Sequence, residues 1–320
     1  MSFIVVGTGS SLPDYVITNE DLSTFLETSD EWIRTRTGIS KRHILKDETL
    51  TSHAVTAGRR ALENAGVLPE EIDLLICTTL QGDYISPSMA CLVSKELGVG
   101  SGRVFDMNMG CSGFVFALDM ADAYFKNKTI KNALIISAEK MSKMVDWSDR
   151  KTCVLFGDGA GASVLTQGEG VSGIKLMSDG AWENLHVPGE GGNSPFNETG
   201  APESYLFMNG KEIYKFAVSR IVKDINEILE EENLTADDIS YFLLHQANTR
   251  IIESARNKLG QSEDKFPTNI EKCGNTSSAS IPILLDEVNR KGMIKKGDRL
   301  VLSTFGAGLS SGACIIEWKI

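Results

Sequence analysis

No stretch of this 320-residue chain approaches 18 consecutive apolar residues, so no helix of it is expected to cross a membrane. Met1 to Gly9 lacks the charged start and long apolar run of a secretion signal, and the expected compartment is the cytoplasm. Long runs of Lys or Arg are also missing, and the formal net charge is −11. That balance excludes an ordinary nucleic-acid binder, because neutralising phosphates needs a basic surface. An anionic partner must therefore meet a local basic patch. The six cysteines (Cys77, Cys91, Cys111, Cys153, Cys273 and Cys314) show no CxxC pairing and no metal-ligand spacing. They read as reduced thiols, with no metal site implied.

Two nucleotide signatures fail as well. Phe3 to Val6 with Gly7-Thr8-Gly9-Ser10 reads as a buried strand ending in a turn. Leu12-Pro13 and the polar Asn19-Glu20-Asp21 follow, so no GxGxxG opens a helix there. Gly157-Asp158-Gly159-Ala160-Gly161-Ala162 lacks the Lys and Ser/Thr of a phosphate loop and leads into a strand, Ser163 to Thr166. Close backbone packing is its expected role.

What is present is globular: 42% hydrophobic and 23% charged residues, in a length that suits two domains or one duplicated unit. Leu50 to Ala65 repeats apolar and small residues at helical intervals and stops at Gly66, with Pro69 beyond. Ile72 to Thr79 is a nearly continuous apolar strand of the kind covered on both faces in a parallel sheet. A helix over Met89 to Leu97 and a strand over Ala133 to Ala138 continue the alternation. Gly168 to Pro202, rich in Gly, Pro, Asn and Glu, reads as an excursion between halves; Asn197-Glu198-Thr199 within it is a formal glycosylation sequon without a secretion signal. The second half then echoes the first. A helix over Lys211 to Glu232 precedes Ile239 to Leu244, which echoes Ile72 to Cys77. Leu300 to Thr304 echoes Leu134 to Ala138, and Phe305-Gly306-Ala307-Gly308 echoes Phe156-Gly157-Asp158-Gly159. Two copies of one α/β unit, 1–170 and 171–320, account for this pattern.

Within the first copy, Val104 to Tyr124 reads as a strand that delivers Cys111 through a Gly110-Cys111-Ser112-Gly113 corner to a helix N-terminus. Partial positive charge there would lower the thiol pKa and favour the thiolate nucleophile. The plainer reading is a small buried hydrophobe, as free cysteines usually are. His245 ends the strand Ile239 to Leu244. His43, His53 and His186 lack a partner motif and are expected to be structural or superficial. Asn275 precedes a run of small residues leading into a helix over Ile281 to Asn289, the second copy's counterpart of the Cys111 corner. Cys, His and Asn each stand at a strand-to-helix junction, where a duplicated fold gathers its chemistry.

With these pieces the sequence resembles the β-ketoacyl-acyl-carrier-protein synthase III family of thiolase-fold condensing enzymes. The matching segments are Thr28 to Ile33, Thr35 to Ile39, Gly110 to Gly113, Asp149-Arg150, Phe156 to Ala162, His245-Gln246-Ala247-Asn248, Gly274 to Ser277 and Phe305 to Gly308. Cys, His and Asn alone are shared with chalcone-synthase-like enzymes; Asp30-Glu31-Trp32 and His245-Gln246-Ala247-Asn248 together narrow the group. The resemblance implies a duplicated, five-layered α-β-α-β-α fold and a homodimer. It also implies condensation of an acyl-CoA primer with malonyl-acyl-carrier-protein, without metal or cofactor, through acyl-Cys111. A related acyltransferase of secondary metabolism, and an idle acyl-CoA or carrier-protein binding module, are the competing expectations.

By the same resemblance, His245 and Asn275 would stabilise the enolate, and the N–H groups of Cys111 and Ala307 would form the oxyanion hole. Trp32 and Arg150 would sandwich the CoA adenine, with Thr28 and Arg36 nearby and Asn248 along the pantetheine arm. The acyl pocket would involve Ser86, Phe156 and Leu206, and Lys215, Arg250 and Lys258 would form the carrier-protein patch. Trp32 and the surface cations also suit plain core and solvent roles. Ser86 departs from the family, whose members often carry a Phe there that reaches the partner's pocket. A smaller residue leaves room for a longer or branched primer, unless Tyr84 or Ile85 fills the space.

Overall fold

The computed structural model describes residues 1–100, 102–127, 129–189 and 205–320. A long strand β1 (Ser2–Ser11) is followed by β2 (Val16–Thr18), α1 (Asn19–Ser23), α2 (Asp30–Thr37) and β3 (Lys41–His43). Next come α3 (Leu50–Ala65), β4 (Leu74–Thr78), α4 (Met89–Leu97), β5 (Arg103–Met107), α5 (Gly113–Lys126), β6 (Asn132–Lys140) and β7 (Asp158–Gly168). The chain continues with β8 (Val171–Ser178), β9 (Leu185–His186), β10 (Phe207–Met208), α6 (Gly210–Glu231), β11 (Tyr241–Leu244) and α7 (Thr249–Leu259). It closes with α8 (Ile270–Cys273), α9 (Ser280–Arg290), β12 (Arg299–Gly306) and β13 (Ser310–Glu317).

The two large sheets repeat one another. The first has the order β5-β4-β6-β7-β1 and the second the order β11-β12-β13-β8. β4 and β6 are parallel, and β7 runs antiparallel to both β6 and β1. In the second sheet β11 and β12 are parallel, and β13 runs antiparallel to both β12 and β8. Order and direction match strand for strand, with no counterpart of β5 among the described residues. Helices α3 and α4 cover the outer face of the first sheet, α6 and α7 that of the second, and α5 and α9 lie between the sheets. The middle layer holds a core of Phe114, Leu118, Phe125, Ile281 and Leu285 against Leu74, Leu243 and Leu302. Five layers follow because each sheet is apolar on both faces and each face needs a helical cover.

Helix boundaries follow local chemistry. Ser29, Thr49 and Ser88 accept the backbone N–H three residues on as N-caps of α2, α3 and α4, whose ends are closed by left-handed Gly38, Gly66 and Gly98. Three readings of the sequence change. β1 does not turn at Gly7 but runs on to Ser11, because Gly9 lets α3 lie against the strand; a Cβ there would stand 2.2 Å from the Ala57 carbonyl oxygen. Gly159 to Ala162 belong to β7 itself, and a Cβ on Gly161 would meet the Ile283 nitrogen at 2.6 Å, so the glycines serve close packing. Residues 171–178 are a strand of the second sheet rather than part of an excursion, with the half-buried Val171, Ile174 and Leu176 packed against the middle-layer core. Residues 190–202 of the excursion, with the Asn197 sequon, lie outside the described residues.

Candidate active site

Cys111 sits in a tight helical turn, Gly110–Ser112, that runs directly into α5. Two glycines make that corner possible for different reasons. Gly110 adopts φ +52°, and a Cβ on Gly113 would press to 2.8 Å on the Thr78 Cβ. The end of β12 grips the same corner from the second half. Thr304 Oγ1 donates to the Cys111 carbonyl at 3.0 Å, and a Cβ on Gly306 would lie 2.9 Å from the Cys111 nitrogen. Ala307 is packed against Gly110, so the two backbones meet beside the sulfur.

His245 and Asn275 converge on one cavity with Cys111. The ring of His245 packs edge-on against Phe305, at 5.2 Å between centroids, and its Nδ1 lies 2.6 Å from Ser280 Oγ. Ser280 Oγ accepts the Gln246 N–H, so its own proton is free to reach Nδ1. When Ser280 donates to Nδ1, the neutral ring carries its hydrogen on Nε2 and presents it as a donor. Asn275 is held by its backbone between Leu155 and Gly157, and its Oδ1 accepts the Ser277 N–H at 2.8 Å. The acceptor end of the amide is thereby occupied, and the Nδ2 donors remain. Elsewhere the cavity is largely apolar, with Leu80, Met141, Phe156, Leu206 and Met208 in its wall, and it extends to Asn248 and Ile251 on α7.

Burial sets the electrostatics. It drives the His245 imidazole down to about 3, so the ring is neutral at ordinary pH. It also pushes the Cys111 thiol up to about 12, reinforced by the nearby Glu139 carboxylate and opposed by the Ser277 hydrogen bond. The expectation of a lowered thiol pKa is therefore reversed: desolvation and a neighbouring negative charge outweigh the helix N-terminus. The resting pair is a neutral thiol beside a neutral imidazole.

The remaining candidates fall in three places. Phe156 and Leu206 line the cavity, whereas Ser86 does not line its own chain's cavity and sits in a loop where Ile85 is 88% exposed. Trp32 carries the Arg36 guanidinium at 4.6 Å and the Arg150 guanidinium at 5.2 Å from its ring centroid, so a base entering between Trp32 and Arg150 must push the arginine outward. Arg150 is also bound to the Glu27 carbonyl, and the nearby Thr28 hydroxyl is buried without a partner among the described residues. Asn248 caps α7 and donates to the Arg36 carbonyl at 3.0 Å, which joins the cavity wall to the Trp32 helix. Arg250 and Lys258 are exposed on α7, Arg250 donating to the Thr35 carbonyl, and Lys215 on α6 pairs with Glu212 at 2.8 Å. Sequence reasoning missed Ser280, which no pattern marks, and Glu139, whose lone carboxylate near the end of an apolar strand was a usable signal.

The duplicated, five-layered architecture is that of the thiolase-fold condensing enzymes. Family patterns described as 3-oxoacyl-[acyl-carrier-protein] synthase III match residues 105–180, and as its C-terminal part residues 229–318. A β-ketoacyl-[acyl-carrier-protein] synthase III of Clostridium acetobutylicum is 44% identical over 318 residues, covering 98% of each chain. The crystal structure of 3-oxoacyl-[acyl-carrier-protein] synthase III from Aquifex aeolicus superposes with a TM-score of 0.93 at 42% identity, over 99% of this chain and 100% of that one. The priming β-ketosynthase of the R1128 polyketide pathway has the same TM-score at 35% identity, over 99% and 96%. This chain belongs to the 3-oxoacyl-[acyl-carrier-protein] synthase III family and is a condensing enzyme of it.

Proposed function

We propose that the chain condenses an acyl-CoA primer with malonyl-acyl-carrier-protein and so opens type II fatty acid synthesis. The observation that carries this reading is the paired donor set over the cysteine. Asn275 Oδ1 accepts the Ser277 N–H and His245 Nδ1 is engaged by Ser280, which leaves Asn275 Nδ2 and His245 Nε2 for the substrate. Cys111 attacks the primer thioester, the N–H groups of Cys111 and Ala307 hold the oxyanion, and CoA leaves. Malonyl-acyl-carrier-protein then places its thioester oxygen against His245 and Asn275. Loss of CO₂ delivers the electron pair into an enolate that these two donors stabilise, and its carbon attacks the acyl group. Cys111 departs, leaving a β-ketoacyl-acyl-carrier-protein. Decarboxylation itself supplies the carbanion, so neither a strong base nor a cofactor is required, and a neutral His with an amide suffices.

Relatives named for synthase III at 43–46% identity favour fatty acid initiation over the secondary-metabolism reading, whose named neighbour is 35% identical. The test is product analysis with a panel of acyl-CoA primers and malonyl-acyl-carrier-protein. Release of CO₂ and CoA in equal amounts with a β-ketoacyl carrier supports initiation; acyl transfer to another nucleophile without CO₂ contradicts it.

The halves 1–170 and 171–320 bring the nucleophile and the two donors respectively. Exposure of Tyr84 and Ile85 supports a homodimer in which this loop meets a partner's pocket. Among the described residues no helix is long and apolar enough to cross a membrane, in keeping with a cytoplasmic enzyme. Lys215, Arg250 and Lys258 suit an acidic carrier protein on a chain of net charge −11. For CoA, Trp32 offers the flat face and Arg36 and Arg150 the cations. Trp32→Ala is expected to raise KM for acyl-CoA about tenfold. KM for malonyl-acyl-carrier-protein stays unchanged in steady-state kinetics.

A further inference from the structure

Beneath Cys111 lies a polar chain that the condensation steps above do not use. Ser277 Oγ stands 3.4 Å from Cys111 Sγ and 3.2 Å from Glu139 Oε1. Glu139 is fully buried at the end of β6, where it also accepts the Ser278 hydroxyl at 2.6 Å and the Leu80 N–H at 3.0 Å. No cation among the described residues offsets this carboxylate; its neighbours are hydroxyls, the N–H groups of Leu80 and Ser278, and the Cys111 thiol. Ser277 is held at φ +51°, a left-handed conformation that only a few non-glycine residues adopt, with its N–H tied to Asn275 Oδ1. A strained serine thus bridges the candidate nucleophile to an unpaired buried acid. Such an acid is costly to maintain unless it has work to do.

The thiol needs a proton acceptor, and His245 is a poor one: its Nδ1 is engaged by Ser280, and burial disfavours the charged ring that taking up a proton would make. We propose that Glu139, acting through Ser277, takes up the Cys111 proton as the sulfur attacks the acyl-CoA thioester and returns it to the departing CoA sulfur. The hydroxyl has a single proton, so two arrangements alternate. With Glu139 ionised, Ser277 donates to the carboxylate and the thiol S–H points to Ser277 Oγ. With Glu139 protonated, the acid donates to Ser277 Oγ and Ser277 donates to sulfur. As the Cys111–carbonyl bond forms, the S–H bond breaks and one proton shifts along the chain. As the carbon–sulfur bond to CoA breaks, the proton passes back through Ser277 to the CoA sulfur, and the relay is reset. Burial raises the Glu139 carboxyl to about 7, where it can both accept and release a proton near neutrality.

This inference rests on Cys111 being the acylated residue, and the experiment separates the two ideas. Glu139→Gln keeps the shape and removes the charge, and Ser277→Ala breaks the bridge while leaving the acid. Single-turnover CoA release from acyl-CoA is followed between about pH 5 and 9, beside alkylation of Cys111 by iodoacetamide mapped by peptide mass. Acylation should slow by about 100-fold or more in either variant. The wild-type rate should rise with pH as Glu139 ionises, and this rise should vanish in Glu139→Gln. Alkylation also breaks the Cys111 S–H bond, so it should slow together with acylation in either variant. Decarboxylation of malonyl-acyl-carrier-protein in a Cys111→Ala background should not change when Glu139→Gln is added, because no thiol proton is moved. Slowed acylation and alkylation with decarboxylation retained are beyond a merely structural role. Unchanged acylation, or parallel loss of acylation, alkylation and decarboxylation, overturns the relay. A wild-type protein that forms no adduct at Cys111 overturns the nucleophile assignment and the relay with it.

Discussion

Cys111→Ala is expected to lower condensation by about 10⁴-fold or more, since no other group can carry the acyl chain between the two half-reactions. None of the other five cysteines lines the cavity: Cys77, Cys153, Cys273 and Cys314 are buried elsewhere in the core, and Cys91 is exposed on α4. Substitution shortens one side chain in the cavity wall and removes one weak hydrogen bond from Ser277, so the fold is kept. The donors His245 and Asn275 remain in place. The variant should therefore still decarboxylate malonyl-acyl-carrier-protein while forming no acyl adduct. Measuring both activities in one preparation distinguishes loss of the nucleophile from loss of structure.

Asn275→Asp separates the same halves in the opposite sense. The carboxylate keeps an oxygen for the Ser277 N–H, so the local turn is preserved, but the Nδ2 donors are replaced by negative charge facing the forming enolate. Loss of one preorganised oxyanion donor costs about 10²–10³ in rate, and the added repulsion deepens it. Acyl-Cys111 should still accumulate on incubation with acyl-CoA, because the N–H groups of Cys111 and Ala307 are untouched. The pH dependence has a definite sign. Acidification protonates the new carboxyl, which burial makes easier, and an O–H donor returns. Decarboxylation by the variant should rise as pH falls, and a variant whose rate falls instead would contradict the donor role of Asn275.

Much of the architecture was legible because apolar periodicity and glycine punctuation are local signals. α3 and α4 begin and end at the residues read from sequence, since Gly66 and Gly98 must take the left-handed turns that close them. Echoed segments announced the duplication, which the matching strand orders display. Glycines misled where their reason was tertiary. Gly7 to Ser10 look like a turn until α3 is seen lying against β1, and residues 171–178 look like linker until β13 is seen to pair with them. The site was legible as residue types at strand ends, not as electrostatics. The thiol pKa depends on desolvation and on Glu139, brought from β6 by the fold, and the His245 tautomer depends on Ser280, 35 positions away. Neither is encoded in local spacing. Trp32 was legible as an aromatic beside cations, but the two guanidiniums already resting on it required coordinates.

The most direct test of the Cys111-centred chemistry is intact and peptide mass spectrometry of the protein after acyl-CoA, then after malonyl-acyl-carrier-protein. The expected result is one acyl group per chain, mapped to Cys111, that disappears as a β-ketoacyl-acyl-carrier-protein forms. An adduct on another residue, or one on Cys111 that malonyl-acyl-carrier-protein leaves in place, would contradict it.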